Sequence, residues 1–148
     1  MRYHIITGIG VIILKEDRVL LGQREGSHGA GTWAFPGGKQ KFGESRVECA
    51  LRETDEKTGL IIELISEYPV GSTEDFFNEE KRAEGNLKIP EPGHYSSLYM
   101  LGRHISGEPR VREKSKCLRW GWSRWEEFPE PLFPPIENLI KQGYNPFN

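Results

Sequence analysis

One short segment, residues 36–60, constrains the fold of this chain more than any other part of the sequence. A Pro-Gly-Gly turn at 36–38 breaks the short strand that Thr32 to Phe35 predicts. From Ser45 to Thr58, apolar or small residues recur at helical spacing, and Gly59 is placed to end a helix. The recurring residues are Val47, Ala50, Leu51, Thr54 and Thr58. The segment therefore predicts a strand, a tight turn and one amphipathic helix in succession.

The polar face of the predicted helix carries two carboxylates. Glu53 and Glu56 are three residues apart, so their side chains project from the same side, with Lys57 beside them. Carboxylates one turn apart can hold Mg²⁺, which takes oxygen ligands and keeps several waters. Glu53 and Lys57 also form an i,i+4 pair of the kind that decorates any solvated helix. The helix alone therefore leaves both a metal site and an ordinary solvated face open.

Length and charge limit the kinds of partner that the chain can have. Its 148 residues predict a single domain over 1–148. Twenty Lys and Arg against 22 Asp and Glu give a formal net charge of -2, so the chain lacks the basic field that wraps a polynucleotide. A small anionic ligand remains compatible with this charge, because metal ions or a few local cations can invert the potential within one site.

Cysteine content and the N-terminal sequence bear on the cellular compartment. Cys49 and Cys117 are too few for a disulfide framework, and we see no signal-peptide pattern at the start of the chain. The apolar run from Ile5 to Leu14 is about half the length needed to span a bilayer, and it predicts a buried strand instead. We therefore expect a cytoplasmic protein with no membrane segment.

The remaining patterns predict strands on both sides of the central helix. His4 to Leu14 and Val19 to Leu21 predict a hairpin, and Pro134 to Gln142 predicts a second helix that ends at Gly143. Asn78 to Pro92 is charged and contains Pro and Gly, which favours a mobile loop. Further strands are predicted at Leu60 to Val70, His94 to Ile105 and Leu118 to Trp122. This order predicts an α/β or α+β fold, with a mixed sheet sandwiched between helices.

Residues 38–60 read GKQKFGESRVECALRETDEKTGL, and their spacing resembles the Nudix box. In that motif Gly is followed after five residues by Glu and after seven more by Arg-Glu, and then acidic residues precede Gly and an aliphatic residue. The matching positions are Gly38, Glu44, Arg52, Glu53, Glu56, Gly59 and Leu60. The resemblance implies a Nudix fold and hydrolysis of a phosphoanhydride bond in a nucleoside phosphate.

The same resemblance implies a role for each polar residue of the box. Glu53, Glu56 and the carbonyl of Gly37 are implied to bind Mg²⁺ or Mn²⁺, and Arg52 is implied to orient Glu44 or Glu53. Together Glu44, Arg52, Glu53 and Glu56 form the catalytic set. Such metal ions suit the reaction, because a diphosphate linkage repels an attacking hydroxide unless cations neutralise it.

Segments outside the box resemble a narrower group. LLGQREGSHGAGTWAFPGG and PLFPPIENLIKQGYNPF look like the eukaryotic nucleotide triphosphate diphosphatases called Nudix type 15 and their plant relatives. That group implies a homodimer that cuts a nucleoside triphosphate, including modified purine nucleotides, to a monophosphate and pyrophosphate.

The narrower resemblance also implies a set of substrate contacts. Arg24 would face the phosphates, and the Gly38 backbone would come close to metal or phosphate. The base pocket would contain Ala34, Phe35 and Ser97, and it would be closed by Phe133 and Ile136. Plain core packing is an equal alternative for Phe35, Phe133 and Ile136, and a surface strand position is the alternative for Arg24.

Three acids that the family pattern expects are missing, and Thr54 stands at a position where the pattern has an aliphatic residue. Lys57 stands where a second metal-binding Glu is expected, and Leu118 and Gly121 stand where relatives carry acids. Glu113 is a candidate to compensate. Two hypotheses follow, a working pyrophosphohydrolase with fewer metals or a catalytically impaired domain that binds nucleotides as a sensor or interaction module. A third, with Trp120, Trp122 and Trp125 stacking on single-stranded nucleic acid, would need a basic groove that this composition lacks.

Overall fold

The computed structural model describes residues 4–26, 29–82 and 88–148. Eight strands and two helices occur in these residues. In chain order they are β1 Ile5–Lys15, β2 Arg18–Arg24, β3 Trp33–Ala34, β4 Gly37–Lys39, α1 Arg46–Thr58, β5 Ile61–Leu64, β6 Gly71–Arg82, β7 Lys88–Ser106, β8 Cys117–Arg124 and α2 Pro134–Lys141.

Strand β1 lies at the centre of a mixed sheet. It pairs parallel with β7 from Ile5↔His94 to Leu14↔Arg103, and on its other edge it pairs antiparallel with β4 and then β2. Strand β6 adds to β7, β8 adds to β2, and β5 pairs with the end of β7. On this edge β4 (Gly37–Lys39) pairs with the first half of β1, so it lies directly beside Gly8 to Gly10.

The two helices cover opposite faces of the sheet. Successive side chains of a strand point to opposite faces, and β1 follows this rule. Ile12 packs in a buried cluster with Ile136 and Leu139 of α2, whereas Val11 and Ile13 pack with Cys49 and Ala50 of α1. The predicted fold class, a mixed sheet sandwiched between helices, is confirmed.

Helix α1 begins and ends where its sequence predicts. The Ser45 hydroxyl accepts from the Glu48 amide, and the Glu48 carboxylate accepts from the Ser45 amide, which together form a capping box. Gly59 adopts φ 74° and donates to the Asp55 carbonyl. A left-handed residue at this position favours glycine, so both ends of the helix are fixed by local chemistry.

Two sequence predictions in the second half of the chain were wrong. The loop predicted at Asn78 to Pro92 is instead strand at 78–82 and 88–92, while 83–87 lie outside the described residues. Prolines are tolerated there because β7 pairs with β1 only from His94 onward. The part of β7 before His94 therefore pairs with β6 on one edge and does not pair with β1 on the other. The strand predicted over Leu60 to Val70 covers only Ile61–Leu64, and the chain then bends before β6.

Within residues 4–26, 29–82 and 88–148, neither helix has the length and apolarity that a membrane crossing requires.

Candidate active site

Most of the residues that the sequence nominates meet around one cavity of about 880 Å³. The nominated residues that line it are Arg24, Ala34, Phe35, Gly37, Gly38, Arg52, Glu53, Glu56, Ser97, Phe133 and Ile136. Glu44 lies outside the lining but is hydrogen-bonded to Arg52. A second concavity, of about 770 Å³ between Trp125 and Asn148, contains none of them. The first cavity is therefore the candidate active site.

Arg52 organises the carboxylates at one end of the cavity. Its Nε and Nη2 donate to the two oxygens of Glu44 at 2.6 and 2.9 Å. Its Nη1 donates to Glu53 Oε1 at 2.8 Å and to Glu56 Oε2 at 3.2 Å. The hydrogen bonds from Arg52, with a further one from the Lys41 amide, lower the pKa of Glu44 to about 2. In turn, the hydrogen bonds that Arg52 makes to Glu44 and Glu53 raise the pKa of Arg52. One guanidinium thus holds three carboxylates in place.

Glu53 presents one oxygen that accepts no hydrogen bond from the described residues. The residue is 7% exposed, and among residues 4–26, 29–82 and 88–148 its buried Oε2 finds no hydrogen-bond donor. A Cβ at Gly38 would overlap this carboxylate, and a Cβ at Gly37 would overlap the Ile9 carbonyl. Both glycines are therefore required for the turn to pass so close to Glu53. A buried carboxylate oxygen without a hydrogen bond is costly unless a cation lies beside it or a ligand binds it.

Lys57 competes for this same oxygen. Its Nζ lies 3.8 Å from Glu53 Oε2 and 3.6 Å from Glu113 Oε1, and only 14% of the side chain is exposed. The ammonium therefore faces the site rather than pointing away to water. Burial opposes ionisation of Glu113, but the charges and hydrogen bonds of Lys116 and Lys57 prevail and lower its pKa. Glu113, whose place the sequence left open, is thus the second partner of Lys57.

The residues fit a metal ion whose ligands come partly from the protein and partly from substrate and water. Within the three described ranges, no group of three or more His, Cys, Asp or Glu side chains is arranged to hold a metal by itself. Mg²⁺ commonly binds through one or two carboxylates and completes its shell with water and substrate phosphates. Glu53 and Glu56, which share the Arg52 guanidinium, meet that lower requirement, and Gly37 lines the same cavity.

The other end of the cavity is largely apolar. The Arg24 guanidinium lies 4.2 Å from the centre of the Phe133 ring, and its burial lowers its pKa. Phe35 and Ile136 are 8% and 1% exposed and belong to the core cluster under α2, yet both also line the cavity. Core packing and a place in the cavity wall are therefore compatible for both residues. Arg24, the last residue of β2, is half-buried and lines the cavity.

Sequence reasoning missed several residues of the cavity wall. Gly8, Gly10 and Gly22 line it, as do Tyr95 and Tyr99 of β7. Gly8 lies opposite Ser97 and Gly10 opposite Tyr99 across the parallel β1–β7 pair. The available signal was the spacing of Gly8 and Gly10 in an apolar strand, since residues two apart lie on one face. Asp75, which hydrogen-bonds Ser97, had no comparable local signal.

Proteins of known structure share the fold of this chain. The family model described as NUDIX domain matches residues 4–143. A MutT NUDIX hydrolase from Burkholderia pseudomallei is similar at TM-score 0.70 and 27% identity, over 96% of this chain and 100% of that one. A MutT protein from Methanosarcina mazei Go1 shares the fold at TM-score 0.69 and 20% identity, over 96% and 94% of the two chains. So does an ADP-ribose pyrophosphatase from Streptococcus suis 89-1591, at TM-score 0.59 and 17% identity over 95% and 93%.

Proposed function

Because the chain belongs to the Nudix family, we propose that it hydrolyses a nucleoside triphosphate to a nucleoside monophosphate and pyrophosphate with Mg²⁺ or Mn²⁺. Nudix hydrolases generally act on nucleoside diphosphate derivatives and use divalent metal ions. The single observation that carries the proposal is the buried, orphaned Glu53 Oε2 beside the Gly37-Gly38 turn, at the edge of a cavity large enough for a nucleotide. A carboxylate held by Arg52 on one oxygen suits a site completed by a metal and a phosphate, provided that the metal displaces the Lys57 ammonium, which lies 3.8 Å from the other oxygen.

Each residue of the site has a separable task in this proposal. Glu53, Glu56 and the Gly37 carbonyl would hold the metal, which when bound would neutralise phosphate charge and acidify water. Arg52 keeps Glu44, Glu53 and Glu56 in one orientation. Glu56 is the more exposed of the two proposed ligands, with 46% of its side chain accessible, and we propose that it accepts a proton from the attacking water.

The remaining residues of the cavity wall would bind the substrate. Arg24 supplies a cation for the phosphates from its position against Phe133. Ala34, Phe35, Ser97 and Ile136 form the wall for the base, and the Gly38 backbone lets phosphate or metal approach.

A second candidate function is nucleotide binding with little or no turnover. The position of Lys57 favours it, because an ammonium 3.8 Å from Glu53 Oε2 competes with a divalent ion for that oxygen. In that case the domain would serve as a sensor or an interaction module.

A product assay separates the two functions. Purified protein is incubated with the common nucleoside triphosphates, modified purine triphosphates and ADP-ribose, with Mg²⁺ or Mn²⁺, and products are resolved by ion-exchange chromatography. We expect a monophosphate and pyrophosphate from a triphosphate, and at least a hundredfold loss in Glu53→Gln, about the effect of removing one preorganised catalytic group. Glu63→Gln is the matched control, since Glu63 has a 62% exposed side chain on β5, away from the cavity lining.

The outcomes are decisive for either function. Nucleotide binding by calorimetry without product above the Glu53→Gln background would overturn the hydrolase proposal and support the binding domain.

Three finer properties also belong to the proposal. We expect a single domain over 1–148 and a homodimer, supported by chain length and by the resemblance of residues 20–38 and 131–147 to the Nudix type 15 group. The few cysteines support a cytoplasmic location. Light scattering on the full chain tests the dimer, and a monomer at micromolar concentration would contradict it.

A further inference from the structure

Cations predominate in the wall of the cavity, although the whole chain carries a formal net charge of -2. Among the described residues that line it, six are Lys or Arg and three are Glu. Glu44 and Glu113 lie outside the lining, against Arg52 and Lys57, and the positive charges still exceed the negative ones when both are counted. The cations of the lining are Arg24, Lys39, Lys41, Arg52, Lys57 and Lys116. The cavity therefore attracts anions through its own side chains.

Lys57 holds its ammonium in this wall between two carboxylates. Its Nζ lies 3.8 Å from Glu53 Oε2 and 3.6 Å from Glu113 Oε1. Both distances are longer than a well-formed hydrogen bond, and an ammonium carries three N–H donors. The two ion pairs thus fix the position of Lys57 and leave it donors to offer a ligand. Arg52 differs, because its Nε, Nη1 and Nη2 all donate to carboxylates of the protein.

Arg24 lies on the same stretch of the wall as Lys57. Strands β2 and β8 pair Arg24 with Cys117, which also lines the cavity. Burial raises the pKa of the Cys117 thiol, whereas the positive charges of Lys57 and Arg24 act to lower it, because a cation favours the thiolate. Both cations are therefore close enough to Cys117 to act on it. Two positive charges thus flank one part of the cavity wall.

We propose that Lys57 binds the phosphate chain of the nucleotide directly, so that the site holds a polyphosphate before any divalent ion is bound. The proposal rests on the proposed nucleotide function and assigns Lys57 a role in binding the substrate. A phosphate chain carries several charges along its length, so it can contact Lys57 and Arg24 together, whereas a carboxylate has one charge to share between them. When Glu53 Oε2 binds a metal, Lys57 keeps Glu113 and the phosphates as its partners.

Inorganic tripolyphosphate in EDTA tests the contact without a base or a metal. Calorimetry on the full chain should show saturable binding by the wild type, with a dissociation constant below about 1 mM. Lys57→Met should bind about 10- to 150-fold more weakly, which is the effect of losing one hydrogen bond to a charged group. Lys57→Arg keeps the charge and the donors, so it should restore most of the affinity. No saturable binding by the wild type, or equal binding by Lys57→Met, overturns the proposal.

Two further variants separate the contact from overall charge. Lys57→Met leaves Glu53 and Glu113 without their cation, and that negative charge by itself weakens anion binding. The double variant Lys57→Met with Glu113→Gln has the net charge of the wild type. Binding that stays weak in it identifies the lost ammonium as the cause, whereas wild-type binding overturns the contact. Lys141→Met is the matched control, because it removes the same charge from an exposed position of α2 outside the cavity lining. It should bind as the wild type does, and a loss equal to that of Lys57→Met overturns the proposal.

Lys57→Gln keeps the proposal open to refutation if Lys57→Met does not fold, since glutamine is also neutral and also favours a helix. It should lose tripolyphosphate binding to the same extent, and wild-type affinity in the folded variant overturns the proposal. Binding in EDTA that depends on Lys57, without hydrolysis of any nucleotide in Mg²⁺, overturns only the proposed hydrolase activity. Hydrolysis in Mg²⁺ without binding in EDTA overturns only the role of Lys57.

Discussion

Replacing Lys57 with methionine removes the cation that competes for Glu53 while keeping an unbranched side chain of comparable length. The Lys57 ammonium lies 3.8 Å from Glu53 Oε2. Any divalent ion bound by this oxygen must displace or tolerate that charge. We therefore expect Lys57→Met to bind Mn²⁺ more tightly than the wild type, and Lys57→Glu to bind it more tightly still, because it returns an oxygen ligand to the helix.

Coulomb's law gives the size of the effect. Two unit charges 3.8 Å apart attract by roughly 1 kcal/mol in a water-like dielectric and by about 4 kcal/mol at an effective dielectric of 20. The two groups are 3.8 Å apart, too far for a hydrogen bond, and Lys57 is shared with Glu113 at 3.6 Å, so the lower part of this range applies. An effect of about 1.4 kcal/mol corresponds to a tenfold fall in the dissociation constant for Mn²⁺.

Electron paramagnetic resonance of free Mn²⁺ measures the affinity without any substrate. Lys116→Met is the matched control, because Lys116 pairs with the other oxygen of Glu113 at 3.2 Å and has a 61% exposed side chain. Equal affinities of Lys57→Met and wild type would refute the reasoning. An equal gain in Lys116→Met would refute it too, since the effect would then come from overall charge rather than from the contact with Glu53.

The remaining predictions concern the helix cap, the glycine turn and acid stability. Ser45→Ala should lower the free energy of unfolding in urea by about 1 kcal/mol, because it removes a capping box, and an unchanged midpoint would contradict this. Gly38→Ala should lower hydrolysis at least tenfold by displacing the Glu53 carboxylate, and Gly121→Ala, where a Cβ meets nothing within 4 Å, should leave it unchanged. The Glu44 pKa falls from 4.5 to about 2, so its pairing with Arg52 stabilises the fold at neutral pH, and this contribution is lost as the pH falls through 2. Glu44→Gln should flatten the dependence of unfolding free energy on pH between 4.5 and 2, and a slope equal to that of wild type would show that the pairing adds no stability.

The helices and the Gly37-Gly38 segment at the start of β4 were predictable because their signals are local. Ser45, Glu48 and Gly59 form the caps of α1 within fifteen residues of sequence, and the Gly37-Gly38 turn precedes them directly. The polar face of one helix then places Glu53 and Glu56 together by spacing alone. Their roles in catalysis stay predictions that the proposed assays test.

The base end of the cavity could not be predicted, because its contacts join residues far apart in sequence. Asp75 meets Ser97 22 residues later and Asn138 63 residues later; pairing of β6 with β7 decides the first contact, and packing of α2 against β6 decides the second. The direction of the Lys57 side chain likewise depends on Glu113, which lies beyond β7. Pro90 and Pro92 make the sequence predict a loop, yet both lie in β7. Sequence alone does not reveal which edge of a strand lacks a partner, and proline is tolerated at such an edge.

The glycines of β1 and β2 give the cavity a property that its polar residues do not. At Gly8 the backbone itself forms the wall, whereas the Trp120 ring packs over Gly22 and the Tyr99 ring packs over Gly10. A base lying beside Gly8 would contribute packing that the chain does not provide for itself there. Ligand binding should raise the unfolding temperature, because stabilisation grows with the logarithm of ligand concentration over its dissociation constant, so the protein can report its own substrate in a thermal screen. The space beside Gly8, where a Cβ comes no closer than 3.5 Å to Ser97 Oγ, is also where a single added methyl group would narrow the range of bases accepted.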